Sequence, residues 1–422
     1  MKSTVQSNAA DKSGAGMKHA GDLREYLERG YIIIRQAIGS DQIGPIREIT
    51  ELFLERARKK SRDNSMWDTH RIPHPYLSDF VDSDTNGLYD LLVSDRILMK
   101  NCQLMRSKSV GINDVTLFTE PARKLLTKFQ WHRDGLLKPT SQLPLHGLQA
   151  DCQSNAPGLL TWSIAIHEDP SLWVVPGSNR RINNGLEQAV LDFPNTDEPL
   201  PGAVRCELAA GDAVVFDASM IHSGSKDVDG CRRTLNVNYR GFGGPVFPHN
   251  RVVRWKPDLY EHLKQDTLRV FSHVEELLGQ EQDMIKETFR SIIDHDEPGF
   301  HEHLAHLHPG VIGRMACVVQ LHKIALALWK LNDRSAPPIP HEKYQVITLD
   351  HSSNRWRTAE LLKRFSPTEV NRLWQCFSTL DQRLRIRPGH ATDSTTDSPG
   401  YNLVEMPRNF DIRGFISSWE QG

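Results

Sequence analysis

The chain has 422 residues, and 51 lysines and arginines face 53 aspartates and glutamates, a net charge of −2. That balance gives no general attraction to phosphate backbones or anionic lipid, so neither a nucleic acid nor a membrane is expected as a partner. At about 150 residues per domain the length predicts two or three domains with a substantial core.

Residues 1–18 are small and polar and are expected to be disordered. In HAGDLREYLERGYIIIRQAI the pattern is a helix that Gly30 ends, then a β-branched strand over Tyr31 to Ile34. Ser40 is placed to cap a second helix with Ile43, Ile46 and Ile49 on one face. The middle of the chain changes character. KSVGINDVTLF, LLTWSIAIH, SLWVVPGS, AVRCEL, DAVVFD and RTLNVNYR are short β-rich runs between turn signals. Such spacing predicts a barrel or sandwich rather than alternating β-α units.

After about residue 265 the pattern turns helical. Ser272 with Glu275, and Ser366-Pro367-Thr368-Glu369, read as capping boxes. Val370, Leu373, Trp374, Phe377, Leu380 and Leu384 form a stripe that belongs to a core. The apolar stretch from Val311 is interrupted by Arg314, Gln320, His322 and Lys323, which makes it a buried helix and not a membrane span. Residues 387–400 read as a polar linker. The expected organisation is a disordered start (1–18), a β-rich domain (19–265) and a mostly helical region (266–422). The six cysteines lack C-x-x-C spacing, and MKSTVQSNAADKSGAGMK has no apolar run, so they are expected to be reduced thiols of a cytoplasmic protein.

The sharpest chemical feature is Trp131-His132-Arg133-Asp134-Gly135. On a strand, residues two apart point the same way, so His132 and Asp134 offer two ligands of a facial triad. With 19 histidines, about one H-x-D match is expected by chance. A second, His167-Glu168-Asp169, does occur and runs into Pro170, which marks a strand end. The first match gains weight from residues further along the chain. Gly211-Asp212 turns into the strand Ala213 to Phe216, His222 lies just beyond, and Arg233 comes eleven residues later. A second imidazole completes a metal site with open positions, and a guanidinium suits a dicarboxylate because its planar fork binds in two-point fashion. Each residue alone has a bland explanation, as a core histidine or a surface cation.

Taken in order, GYIIIRQAI, WHRDG, LWVVPGS (Leu172 to Ser178), GDAVVF (Gly211 to Phe216) and the His222 to Arg233 spacing resemble the phytanoyl-CoA dioxygenase family of Fe(II)/2-oxoglutarate oxygenases. The resemblance runs from about Gly21 to Arg240. It implies a mainly β fold, the double-stranded β-helix or jelly roll, flanked by helices. It implies that His132, Asp134 and His222 ligate Fe(II), that Arg233 pairs with the distal carboxylate of 2-oxoglutarate, and that Asn113 is a further polar contact. It also implies an O2-dependent oxidation of an unactivated C–H bond of a small molecule, with succinate and CO2 as products. Hydroxylation in secondary metabolism is the expected outcome, with desaturation or cyclisation as alternatives. Asp134 argues against halogenation, because related halogenases carry a small residue there. Where the family commonly has PGSH, this chain has Pro176-Gly177-Ser178-Asn179.

Two rivals are weaker. A nucleic-acid demethylase of the same superfamily conflicts with the near-neutral charge. A non-catalytic β-helix scaffold that binds through its helical tail would have been favoured by a missing ligand. The His-rich run from His295 to His308 lacks the H-E-x-x-H register of a metal helix. A homo-oligomer is compatible with the sequence but not indicated by it.

Overall fold

The computed structural model describes residues 21–63, 77–108, 110–119, 129–133, 159–192, 195–224, 232–241, 260–308, 310–333, 358–388, 402–405 and 410–419. The expected disordered start and Asp134 lie outside them.

The centre is a five-stranded antiparallel sheet. It is built from β1 (Tyr31–Ile34), β2 (Gly111–Phe118), β4 (Leu159–Ala165), β8 (Ala213–Asp217) and β10 (Thr234–Arg240), in the order β1-β8-β4-β10-β2. A three-stranded sheet, β7-β5-β9, is made of β5 (Asp169–Val174), β7 (Val204–Leu208) and β9 (His222–Gly224). The short strands β3 (Phe129–Gln130) and β6 (Asn195–Thr196) pair beside them.

Side chains alternate across a strand, and here both faces of the large sheet are used. Leu235, Val237 and Tyr239 of β10 join Leu160, Trp162 and Ile164 of β4 in one core. That core is closed by helices: α1 (21–29), α2 (Ile43–Asp63), α3 (Leu77–Phe80), α4 (Gly87–Leu92) and α5 (Asp95–Met105), through residues such as Phe53, Leu88, Leu92 and Leu104. On the opposite face Tyr31, Ala165, Val214 and Phe216 meet Leu172, Val174, Cys206 and Leu208 of the small sheet. Leu235, Val237 and Tyr239 of β10 therefore face the helices, and Thr234, Asn236 and Asn238 face the interior between the sheets, while Arg240 at the strand's end pairs with Glu281 of the helical region.

A short helix, α6 (Gly185–Asp192), lies between β5 and β6, and after β10 come the helices α7 (Gln265–Ile293), α8 (Glu297–Leu307), α9 (Val311–Asn332), α10 (Thr358–Leu362), α11 (Pro367–Arg383) and α12 (Ile412–Ile416). They share a second core that includes Phe289, Phe300, Leu321, Leu373 and Phe377. The 29-residue α7 enters both cores, with Phe271 in the first and Ile285 to Ile293 in the second. Among the described residues no helix is long and apolar enough to cross a membrane, and α9 is a core helix.

Two expectations need correction. Ser272 does not cap a helix, because α7 is already helical from Gln265 and Ser272 is an exposed position within it. An S-x-x-E pattern caps only where the upstream segment is not itself helical, and Leu268 and Phe271 carry the apolar face through. The polar run from 387 begins inside a strand: β11 (Arg385–Pro388) pairs with β12 (Asn402–Glu405). By contrast Ser366 caps α11 through Glu369 in a reciprocal box. Ser366→Ala is expected to cost about 1 kcal/mol, read as a fall of about 2–4 °C in the unfolding temperature. The described cysteines, Cys102, Cys206, Cys317 and Cys376, form no disulfide.

Candidate active site

His222 opens β9 opposite Val174 of β5. Val174 is fully buried between the sheets, and residues paired across strands share a face, so the His222 ring is in that interior too. The segment bearing His132, which continues from β3, is held from the other side. Trp131 is buried, stacks on Phe129 at 5.6 Å and donates its indole N–H to Thr196 Oγ1 at 3.2 Å. His132 and His222 then form an antiparallel bridge, each backbone N–H donating to the other's carbonyl at 3.0 Å. The two imidazole centroids are 4.2 Å apart.

His222 Nδ1 lies 2.9 Å from the carbonyl of Met220. A carbonyl only accepts, so Nδ1 donates, and Nε2 is the nitrogen that would meet a metal. This is the outer contact that orients metal-ligating imidazoles. Two adjacent imidazoles, one with its tautomer fixed, fit a ferrous ion. Asp134, two residues past His132, lies outside the described residues, so the structure brings together the two histidines of the expected triad. Among the described residues no cluster of three or more His, Cys, Asp or Glu is arranged to hold a metal, in the His-rich run of α8 or anywhere else.

Strand parity separates the two arginines before β10. Arg233 lies on the helix-facing side: its carbonyl accepts from the N–H of Ile166, a residue of the first core. Its guanidinium grips both oxygens of Glu51 on α2, with Nε at 2.5 Å and Nη2 at 3.2 Å, and Nη1 donates to the Arg232 carbonyl. The planar fork is thus engaged by a carboxylate of the chain itself. Arg232 is in phase with Thr234, Asn236 and Asn238 and faces the interior. Its guanidinium lies 4.7 Å over the ring of Phe118, and Nε donates to Asp169 Oδ2 at 3.0 Å. Its two terminal nitrogens make no hydrogen bond among the described residues, and the side chain is 14% exposed. Along the same face Thr161 donates to Asn238 and Asn236 donates to Ser163. A polar stripe therefore runs up the interior from Arg232.

Asn113 sits on β2 at the irregularity where the pairing with β10 slips between Asp114 and Ile112. Eleven-residue spacing from His222 pointed to Arg233. The signal for Arg232 was also in the sequence, because the apolar odd positions Leu235, Val237 and Tyr239 put even positions on the other face.

Burial alone would raise the Asp169 carboxyl, but the Arg232 charge and hydrogen bonds from Ser171 and Thr234 outweigh it and hold it below the usual carboxylate range. A group depressed in this way stabilises the fold above its unfolded value of about 3.9, and that contribution is lost as pH falls through the folded value. Asp169→Asn is therefore expected to flatten the fall in unfolding temperature between about pH 5 and pH 2 relative to wild type.

Residues 26–235 match the profile of the phytanoyl-CoA dioxygenase family, PhyH. This part of the chain belongs to that family. The chain is accordingly a non-haem iron, 2-oxoglutarate-dependent oxygenase. The helical region lies beyond the match. No curated protein matches the chain. Among solved structures, the α-ketoglutarate-dependent epimerase SnoN from nogalamycin biosynthesis is 16% identical, covering 54% of this chain and 82% of its own at a TM-score of 0.36. EctD from S. alaskensis, with 2-oxoglutarate and 5-hydroxyectoine, is 17% identical over 57% of this chain and 80% of its own, with a TM-score of 0.39. HygX from Streptomyces hygroscopicus, with nickel and 2-oxoglutarate, is 14% identical over 52% and 85%, with a TM-score of 0.37.

Proposed function

We propose that this PhyH-family enzyme hydroxylates an unactivated C–H bond of a small molecule of secondary metabolism, with iron held by His132, Asp134 and His222. The two facing sheets are, in this reading, the halves of a double-stranded β-helix. The observation that carries the iron assignment is the pair of bridged histidines with His222 Nδ1 committed to the Met220 carbonyl.

Held by these residues, Fe(II) with 2-oxoglutarate and O2 would supply the oxidising power for C–H hydroxylation, with succinate and CO2 as the products of 2-oxoglutarate. The chain's own groups do the rest. The Met220 carbonyl holds the His222 ring at a fixed angle. Phe216, 5.0 Å from that ring, and Val174 keep the interior apolar around it. We assign the distal carboxylate of 2-oxoglutarate to Arg232, whose terminal nitrogens offer a two-point fork inside the sheets. Arg233 instead fastens α2 to the sheet through Glu51. Asn113, on the strand paired with β10, is the further polar neighbour proposed for the co-substrate.

Anaerobic titration with Fe(II) and 2-oxoglutarate tests the reading. Wild type is expected to develop a visible charge-transfer band and His132→Ala none. A scaffold would show no band even as wild type, and that result would sink the assignment. Succinate release across candidate small molecules then identifies the substrate.

A further inference from the structure

Arg133 stands in the sequence between the proposed ligands His132 and Asp134, and its own side chain is buried. A buried guanidinium is costly to desolvate, so its partners matter. Nε and Nη2 both donate to Asn183 Oδ1, at 3.0 and 2.6 Å. Nη1 donates to the carbonyl of Ser178 at 2.7 Å and to that of Ser219. These acceptors sit on two separate turns. Ser178 and Asn183 belong to the segment after β5, and Ser219 lies three residues before His222.

The two turns are also tied to each other. Ser178 Oγ accepts from the backbone N–H of Ile221, the residue before His222, at 2.8 Å. Asp217 accepts from Ser219 N and Oγ and from Asn179 Nδ2. The Pro176-Gly177-Ser178-Asn179 turn is thus a hub. Arg133 links it to the strand of His132, and Ser178 links it to the strand of His222. Ile182, beside Asn183, packs on the core of the helical region.

We propose that Arg133 is the positioning residue of the iron site. Its guanidinium fixes the spacing between the segment that carries His132 and the turn that delivers His222. A metal site needs its ligands held to fractions of an ångström, and the backbone bridge between the histidines sets only one end of that distance. This rests on the iron-site reading above.

The test is calorimetric titration of the full chain with Co(II) as probe, without 2-oxoglutarate, alongside thermal unfolding of each protein. Loss of contacts to a ligand-bearing strand is expected to weaken metal binding about 10–100-fold in Arg133→Gln. Arg133→Lys, which keeps the charge but not the fork, is expected to fall between Arg133→Gln and wild type. Asn183→Ala removes two of the bonds without touching the buried cation and is expected to give a smaller but measurable loss. Phe377→Leu, in the helical core, is expected to lower the unfolding temperature and leave Co(II) affinity unchanged. Arg133 variants that unfold earlier but bind Co(II) as wild type does would overturn the proposal. If they do not fold, unchanged affinity in Asn183→Ala overturns it instead. A wild-type chain that takes up no metal removes the iron reading itself, an outcome distinct from unchanged variants.

Discussion

Arg232→Ala is expected to weaken 2-oxoglutarate binding by about 30-fold to several thousand-fold, the equivalent of the 2–5 kcal/mol lost when one partner of a buried charge pair is removed. Arg233→Ala is expected to change it by less than about threefold. The contrast follows from parity: one guanidinium lies between the sheets with its terminal nitrogens unclaimed by described residues, and the other is spent on Glu51. Glu51 is 49% exposed, so Arg233→Ala should cost only about 1 kcal/mol of stability after solvent screening. Arg232→Ala also leaves the buried Asp169 without its cation, so the clean comparison adds Asp169→Asn to it. Following the charge-transfer band against 2-oxoglutarate concentration at saturating Fe(II) measures both affinities. The reverse ranking would return the anchor to Arg233.

The largest effect on stability is expected at Arg240 and Glu281. Their side chains form an ion pair in which both are 0% exposed, one at the end of β10 and the other in the middle of α7. Removing one partner strands a charge in the interior, at about 3–5 kcal/mol. Glu281→Gln or Arg240→Met alone is therefore expected to lower the denaturant midpoint sharply. The double variant Arg240→Met with Glu281→Leu is expected to recover most of the loss, because an apolar pair of similar volume avoids the desolvation. Failure of the double variant to recover would mean that the charges also order the junction.

Much of this architecture was legible in the chain. Alternation in DAVVFD and RTLNVNYR marked real strands, and the Ser366 box marked a real helix start. The reason is local: a period of two and a reciprocal cap are decided within a few residues. Ser272 with Glu275 misled for the converse reason, since the same four-residue pattern means nothing inside a helix whose packing is set by Phe271 and Val274. The histidine pair was legible because the strand bearing His132 and the Gly211-Asp212 turn each announce themselves. The orientation of the two arginines was not, because one residue of slip before β10 turns an inward side chain outward. The Arg133 hub was invisible for a different reason. Its partners are two backbone carbonyls and an asparagine some 45 to 86 positions away, and carbonyls leave no trace in a sequence.

The family match stops at residue 235, but folding does not respect that border. Phe271 of α7 sits edge-on to Tyr89 at 5.4 Å, inside the core that backs the catalytic sheet. A shortened gene product ending where homology ends would lose Tyr239 and Arg240 from β10 and open a hole beside Tyr89. The minimal excisable oxygenase must therefore retain α7, and α7 in turn needs the bundle that covers its far half. A chain cut at residue 235 is expected to lose the fold rather than give a trimmed catalyst.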